Sequence, residues 1–134
     1  MSGTLKQNIV FNQLEDKKRL DDAIHYSGLK DDLKILPNGL DTEIGEKGTN
    51  LSGGQKARVS LARALYSNKD IYLLDDILSA VDVHVGKFLV EETILKYLKG
   101  KTVIMPTHAI AYLERADNVI VMKKGRIMVY GKLG

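Results

Sequence analysis

The sequence predicts an α/β fold, a sheet with flanking helices that ends in a C-terminal β-hairpin. Two short apolar runs, residues 71–74 and 102–105, predict buried strands, and the helical pattern of residues 82–98 lies between them. Two further apolar runs, residues 118–122 and 127–130, are separated by a glycine-containing turn and predict the hairpin. Because near-continuous apolar strands are typical of sheets that helices cover on both faces, we expect that arrangement here.

Two helices are predicted between residues 16 and 36. Residues 5–15 show no clear period. From residue 16 to about residue 27 apolar side chains recur at helical spacing, and Gly28 is placed to end that helix. A second short helix is expected over residues 30–36, before the turn signal Pro37-Asn38-Gly39.

A loop at residues 39–50 leads directly into a helix that begins at Ser52 and continues to residue 65. Ser52 is a favourable N-cap, and Gly53 and Gly54 have no side chains to block the helix start. Unpaired N–H groups and the positive end of the helix dipole make this a candidate anion site, most naturally for phosphate. The alternative is a Ser-capped helix with a glycine-rich lead-in, which is common in α/β proteins.

Polar side chains follow both predicted buried strands. Asp75 and Asp76 come after the first strand, and His108 follows the second. In α/β sheets ligands bind beyond the carboxyl ends of strands, so these residues form a candidate catalytic site. Adjacent carboxylates suit magnesium: Asp75 would hold the ion through water, and Asp76 would act as a base toward a water molecule. The alternatives are an aspartate pair that caps the next helix and a structural histidine.

Length, charge and composition restrict the possible functions. The 134 residues form one domain at most, and the absence of cysteine excludes disulfides and thiolate chemistry. The net charge is +3, but basic and acidic residues alternate at residues 16–22 and 30–32, which is typical of solvated helix faces. We therefore expect no nucleic-acid partner. With no signal peptide and no apolar run that could cross a bilayer, we expect the chain to be soluble by itself.

The order of these features resembles that in the ATP-binding cassette (ABC) family. The helix start comes first, the strand with two aspartates follows, and the strand that leads to a histidine comes last. The matches are a signature sequence (Leu51, Ser52, Gly53, Gly54 and Gln55), a Walker B strand (residues 71–75), a D-loop (Ser79, Ala80, Val81 and Asp82) and the switch histidine His108. The resemblance implies a partial P-loop NTPase-like (ABC ATPase) fold, with ATP and Mg²⁺ as cofactors. Residues 42–48 look like the segment that faces the transmembrane domains in exporter-type cassettes.

Residues 75–87 look like the first nucleotide-binding domain of the multidrug-resistance-associated (C) subfamily, in which an aspartate replaces the usual catalytic glutamate. Asp76 is shorter than glutamate by a methylene group and would hold the attacking water less well. Since a positioned base contributes about 10²–10⁴ in rate, we expect a slow or degenerate site. Two smaller departures are Ile77, where proline is usual, and Pro106, where an aliphatic residue usually precedes Thr107.

A larger departure from the family is that GxxxxGK[ST], the loop that cradles the β and γ phosphates, occurs nowhere in the chain. Residues 1–134 therefore resemble the C-terminal portion of a nucleotide-binding domain. Its helical and signature part lies at about 12–67, and its Walker B to switch-histidine core part at about 68–134. We expect the chain alone to be weakly active or inactive, and to expose apolar sheet edges that cause poor folding or self-association.

In this family two cassettes meet head to tail, and the signature of one closes over ATP held by the other. The resemblance therefore implies that Ser52, Gly53 and Gly54 serve a nucleotide bound to a partner domain. Asp75, as the metal residue, and the catalytic pair of Asp76 and His108 would serve a nucleotide in their own cassette.

We interpret the sequence as a segment of an ABC transporter nucleotide-binding domain on the cytoplasmic side of a membrane. The intact parent would couple MgATP binding and hydrolysis to transport. The implied partners are a second nucleotide-binding domain and the transmembrane domains of the parent. One alternative is a non-catalytic module that docks on a complete cassette and modulates it. Another is a soluble cassette ATPase that works on DNA, against which the exporter-like loop and the scattered charges argue.

Overall fold

The computed structural model describes residues 2–46 and 48–132. Lys47, in the loop predicted ahead of the signature, lies outside the described residues, as do Met1, Leu133 and Gly134. The elements, in chain order, are β1 (Gly3–Thr4), α1 (Leu5–Val10), α2 (Lys17–Tyr26), α3 (Lys30–Ile35), a 3₁₀ turn (Gly39–Asp41), β2 (Glu43–Ile44), α4 (Gly53–Tyr66), β3 (Ile71–Leu73), α5 (Val83–Phe88), a π-helical segment (Leu89–Tyr97), β4 (Thr102–Ile104), a second 3₁₀ segment (Ile110–Arg115), β5 (Val119–Lys123) and β6 (Arg126–Gly131).

Helix α1 is an addition to the predicted elements. Thr4 and Gln7 form a capping box, in which the Thr4 N–H donates to the Gln7 side chain at 2.9 Å and the Gln7 N–H donates to Thr4 Oγ1 at 3.1 Å. The helix ends at Phe11, whose backbone is left-handed with a φ of 47°. Thr-x-x-Gln is a known signal for a helix start, and it outweighs the lack of a clear apolar period in so short a helix.

Helices α2 and α3 lie where the sequence predicts them. Asp16 caps α2 by accepting a hydrogen bond from the Arg19 N–H at 3.1 Å. Gly28 follows the helix with a φ of +79°, a conformation that a glycine adopts without steric cost. The predicted loop at residues 39–50 is more ordered than expected, because it holds a 3₁₀ turn and β2, which pairs with β1.

The core forms where α1 and α2 pack on α4. Fully or nearly fully buried apolar side chains line these contacts: Leu5, Ile9, Leu20, Ala23, Ile24, Val59, Ala62 and Leu65. Each larger side chain of this kind stabilises the fold by about 1.5–3 kcal/mol relative to exposure. The packing of α1 and α2 on α4 therefore fixes the position of α4.

The strands form three separate pairs within the described residues. Strands β3 and β4 are parallel, with Leu73 opposite Ile104. Tyr72 is buried on one face of this pair, whereas Ile71, Leu73 and Ile104 on the other face are 61%, 73% and 52% exposed. The α/β class with flanking helices is confirmed, but the expected cover on both faces is not found, since only one set of alternating side chains meets the helical core. The exposed apolar surface is thus a face of this strand pair, whereas the expected poor folding or self-association stays a prediction.

The predicted helix over residues 82–98 changes type along its length. It is α-helical to Phe88 and π-helical from Leu89 to Tyr97, and the Leu98 N–H donates to the carbonyl of Thr93 at 2.8 Å. Gly100, with a φ of +87°, follows its end as predicted. The predicted short helix after His108 is a 3₁₀ segment.

The C-terminal hairpin is confirmed. Strands β5 and β6 pair in antiparallel fashion, and the turn between them contains Lys124 and Gly125, both with positive φ. Such a turn matches the right-handed twist of paired strands. Across the described residues, no helix is both long enough and apolar enough to cross a membrane.

Candidate functional site

The first turn of α4 is held by a reciprocal pair of hydrogen bonds. Ser52 Oγ accepts from the Gln55 N–H at 3.1 Å, and Gln55 Oε1 accepts from the Ser52 N–H at 2.9 Å. A hydroxyl has one donor proton and two acceptor lone pairs, so the Ser52 O–H proton is free of this cap and available to an acceptor outside. Ser52 and Gly53 are exposed, and apart from the adjacent residues and the backbone of α4 itself, no atom of the described residues lies within 4 Å of the position of a β-carbon on Gly53. An anion can therefore approach the backbone closely here.

Gly54 serves a different purpose from Gly53. A β-carbon on Gly54 would lie 2.8 Å from the carbonyl oxygen of Ala80. This close approach places the start of α4 against the segment Ser79, Ala80, Val81 and Asp82. The tertiary structure thus joins two of the predicted motifs, the signature and the D-loop.

Asp75 and Asp76 follow β3, as predicted, in different environments. Asp75 is exposed, whereas Asp76 is partly buried with a left-handed backbone φ of 52°. The Asp76 N–H donates to the carbonyl of Pro106 at 2.8 Å, which continues the pairing of β3 with β4 past their ends. The missing N–H of Pro106 leaves this contact intact, because Pro106 is the acceptor.

The hydrogen bond to Pro106 brings the aspartates near the segment that carries His108. His108 is exposed; its carbonyl accepts from the Ile110 N–H at 3.0 Å, and Thr107 Oγ1 accepts from the Ala109 N–H at 3.0 Å. In the described parts of the chain, no hydrogen bond joins the side chains of Asp75, Asp76 and His108 to one another. The three side chains therefore lie at the carboxyl ends of β3 and β4, but no hydrogen bond between them fixes their relative positions.

The predicted D-loop, residues 79–82, forms a compact turn between the aspartates and α5. Ser79 donates to the carbonyl of Asp76 through its N–H at 3.3 Å and its hydroxyl at 3.0 Å. Asp82 caps α5 by accepting from the Val85 N–H at 2.9 Å. The next helix is thus capped by Asp82, and the alternative that Asp75 and Asp76 serve as its cap does not hold.

The donor chemistry at this edge fits a magnesium ion of the kind that binds nucleotides. Among residues 2–46 and 48–132 no group of three or more carboxylate or histidine side chains could hold a metal by itself. Mg²⁺ typically takes only one or two protein carboxylates and fills its other positions with water and substrate phosphates. The exposed carboxylate of Asp75 meets that requirement.

Sequence reasoning missed an ion pair beside the start of α4. Asp32 lies in a stretch that predicts a solvated helix face, yet its side chain is only 12% exposed and that of its partner Arg58 only 16%. The Asp32 carboxylate accepts from Arg58 Nε at 2.7 Å and from a terminal guanidinium nitrogen at 3.0 Å. The prediction for Asp32 was wrong because no local pattern in α3 shows that Arg58 of α4 lies opposite this side chain.

Comparison with known proteins agrees with the family resemblance seen in the sequence. The family model described as "ABC transporter" matches residues 2–79, a range that contains both Ser52 and Asp75. The chain is 56% identical over 126 residues to multidrug resistance protein mrp-7 of Caenorhabditis elegans, covering 92% of this chain and 8% of that protein. It is 53% identical over 131 residues to a multidrug resistance protein of Leishmania tarentolae, covering 98% of this chain and 8% of that protein.

A plant relative shows the same pattern. The chain is 46% identical over 132 residues to the putative ABC transporter C family member 15 of Arabidopsis thaliana, covering 98% of this chain and 12% of that protein. The chain therefore spans only a small part of the length of the curated relatives that it matches.

Proposed function

This chain belongs to the ABC transporter family, as part of an ATP-binding domain, and we propose that it serves a transporter in which MgATP binding and hydrolysis drive transport across a membrane. The similarity to C-family members and multidrug resistance proteins supports this subfamily. One structural observation supports the proposal most strongly. The capped, open start of α4 lies against the D-loop through Gly54 and Ala80, so two motifs that are distant in sequence form one surface.

The signature surface is proposed to act on a nucleotide held by a partner domain. The Ser52 hydroxyl and the backbone N–H groups at Gly53 and Gly54 would bind its terminal phosphate, since they present donors at the positive end of a helix. Leu51 is buried beneath this turn, and Gln55 closes it through the capping box. The natural partner is a second nucleotide-binding domain arranged head to tail.

The second group of residues is proposed to act on a nucleotide in its own cassette. Asp75 would hold Mg²⁺ through water, and the ion would supply charge neutralisation to the phosphates. Asp76 would orient and deprotonate the attacking water, and His108 would polarise it or the phosphate. Because Asp76 is shorter than the glutamate usual in the family, this site is proposed to be slow.

The chain alone is proposed to be a poor ATPase. The sequence GxxxxGK[ST] does not occur in its 134 residues, so the proposed site lacks the loop that cradles the β and γ phosphates. The transmembrane domains of the parent, on the cytoplasmic side of a membrane, are the other proposed partner. The division into a part at about 12–67 and a part at about 68–134 stays a prediction.

A second candidate function rests on the same observation. A chain with an accessible signature surface and no P-loop motif of its own could dock on a complete cassette and modulate it without catalysis. Both functions need the start of α4. They differ in the ATPase rate that is measured when this chain is mixed with a complete cassette. A modulator changes the ATPase rate of the complete cassette, and the aspartates of this chain are not needed for that change.

The first experiment is a calorimetric titration of the chain with MgATP, with Asp75→Asn as its control. We expect no heat at millimolar nucleotide. If the wild type binds MgATP and the variant does not, the aspartates hold nucleotide without a P-loop. That result would overturn the proposal that the chain alone is a poor ATPase.

The second experiment measures association of the chain with a complete C-family cassette by analytical ultracentrifugation, with and without MgATP. We expect ATP-dependent association that Gly53→Val abolishes, because the added side chain fills the open approach to the helix start. Ser60→Val on the exposed face of the same helix is the matched control and should leave association intact. Absence of association in the wild type would contradict the proposed function.

A further inference from the structure

The ion pair of Asp32 and Arg58 connects α3 to the first two turns of α4. Its two short contacts, 2.7 Å and 3.0 Å, engage both carboxylate oxygens with the flat edge of the guanidinium. Planar, two-point pairing of this kind fixes orientation as well as distance. The neighbouring Asp31 is different, since its pair with Lys34 is exposed and lies within α3 itself.

Asp32 also reaches the signature directly. Gln55 Nε2 donates to Asp32 Oδ1 at 3.4 Å, while Gln55 Oε1 accepts from the Ser52 N–H at 2.9 Å. A side-chain amide has one accepting end and one donating end. The carboxylate of Asp32 accepts only, so it selects the amide orientation in which the Gln55 oxygen faces the Ser52 N–H.

Arg58 also packs against the start of α4. Its terminal nitrogen Nη1 lies 3.1 Å from the position of a β-carbon on Gly54, and its Cδ lies 3.6 Å from that of a β-carbon on Gly28. The guanidinium is therefore set between the turn that joins α2 to α3 and the start of α4. Arg58 and the Ala80 carbonyl therefore both pack against Gly54 where a side chain would stand, and a shift of Arg58 would remove one of these two contacts.

From this geometry we infer that Asp32, acting with Arg58, is a positioning residue for the signature. It touches no nucleotide itself. It orients Gln55, which in turn orients the Ser52 backbone and leaves the Ser52 hydroxyl proton directed away from the cap. The inference about the helix start stands on the contacts alone, and its consequence for nucleotide rests on the proposed function.

The test compares Asp32→Asn with Asp31→Asn, two variants with the same charge change at adjacent residues. Nuclear magnetic resonance of the full chain gives the side-chain amide signals of Gln55 and the hydrogen-exchange rates of individual backbone amides. In Asp32→Asn we expect the Gln55 side-chain signals to shift and the Ser52 amide to exchange severalfold faster. The amides of Val59 and Leu61, in the middle of α4, should keep their rates.

That pattern separates positioning from general stability. If Asp32 only stabilised the fold, the middle of α4 would exchange faster together with its start, and the inference would be wrong. It would also be wrong if Ser52 and Gln55 did not respond, or if Asp31→Asn produced the same response. Should Asp32→Asn lose its dispersed spectrum, Arg58→Lys provides the same test, because it keeps the charge and removes the two-point geometry.

A functional measurement completes the test. In the ATP-dependent association with a complete cassette, Asp32→Asn should weaken binding severalfold, and Asp31→Asn should not. If the wild-type chain shows no ATP-dependent association, the proposed function fails while the resonance measurements still decide the role of Asp32. If the wild type associates and Asp32→Asn associates equally well, the positioning role is wrong and the proposed function stands.

Discussion

The backbone at Gly54 meets the carbonyl oxygen of Ala80 so closely that a β-carbon there would lie 2.8 Å from it. Real β-carbons do not come that near to an oxygen, so the contact requires glycine at this position. Gly53, one residue earlier, has open space around it. Two adjacent glycines thus differ sterically: Gly53 leaves the helix start open, and Gly54 lets Ala80, in the predicted D-loop, approach the helix.

Gly54→Ala should therefore destabilise the chain, whereas Gly53→Ala should not. Overpacking costs about 1–3 kcal/mol, against a gain of about 1 kcal/mol from replacing a glycine in a helix. We expect the free energies of unfolding of the two variants to differ by about 2 kcal/mol in urea denaturation, with Gly54→Ala the less stable. Equal values would show that the D-loop yields to the added methyl group.

Ser52→Ala removes the acceptor of the Gln55 N–H. An N-cap of this kind contributes about 1 kcal/mol, so we expect that loss in the free energy of unfolding. Ser60→Ala is the matched control. Ser60 is exposed to solvent in the middle turns of α4, where alanine slightly favours the helix. A result in which both serines behave alike would contradict the capping role.

Tyr66→Phe tests a buried hydrogen-bond centre beneath the loop between α1 and α2. The Tyr66 hydroxyl accepts from the Asp16 N–H at 2.9 Å and donates to the carbonyl of Leu14. Leu14 and Asp16 are exposed, so water can replace the lost partner, and we expect a cost of about 0.5–1.5 kcal/mol in thermal or urea unfolding. Tyr130→Phe, at a position 65% exposed, should change stability by less than about 0.5 kcal/mol.

Leu73→Glu tests the open face of β3. Because Leu73 is exposed, we expect the variant to keep its stability within about 0.5 kcal/mol and to reduce self-association in sedimentation velocity. The adjacent Leu74 is buried, and Leu74→Glu should prevent folding. Unchanged association in Leu73→Glu would show that the open face does not mediate it.

Tyr97 makes stability sensitive to alkaline pH. Burial raises the pKa of its phenol above the usual value of 10.0, with a smaller contribution from Asp22. The unfolded chain therefore loses this proton first, so the contribution to stability is present below pH 10 and is lost as the pH rises through the folded pKa. Tyr97→Phe should flatten that part of the stability profile relative to the wild type, as measured by denaturation at a series of pH values.

The sequence predicted those features that depend on interactions between residues close together in the chain. The cap at Ser52, the positive φ of Gly28 and Gly100, and the glycine turn of the hairpin depend on a few neighbouring residues. A local signal for α1 was also present in Thr4 and Gln7, where a capping box acts without a long apolar period. These features follow from backbone sterics and hydrogen bonds between residues close in sequence.

The sequence by itself determined the order of the motifs, the family and the types of side chain at the candidate site. Only the tertiary structure decided that Gly54 meets Ala80, that Asp32 is buried against Arg58, and that one face of β3 stays open. The physical reason is that burial and contact depend on which surfaces pack together. A solvated acidic helix face and a buried ion pair have the same local sequence, and they differ only in what lies opposite.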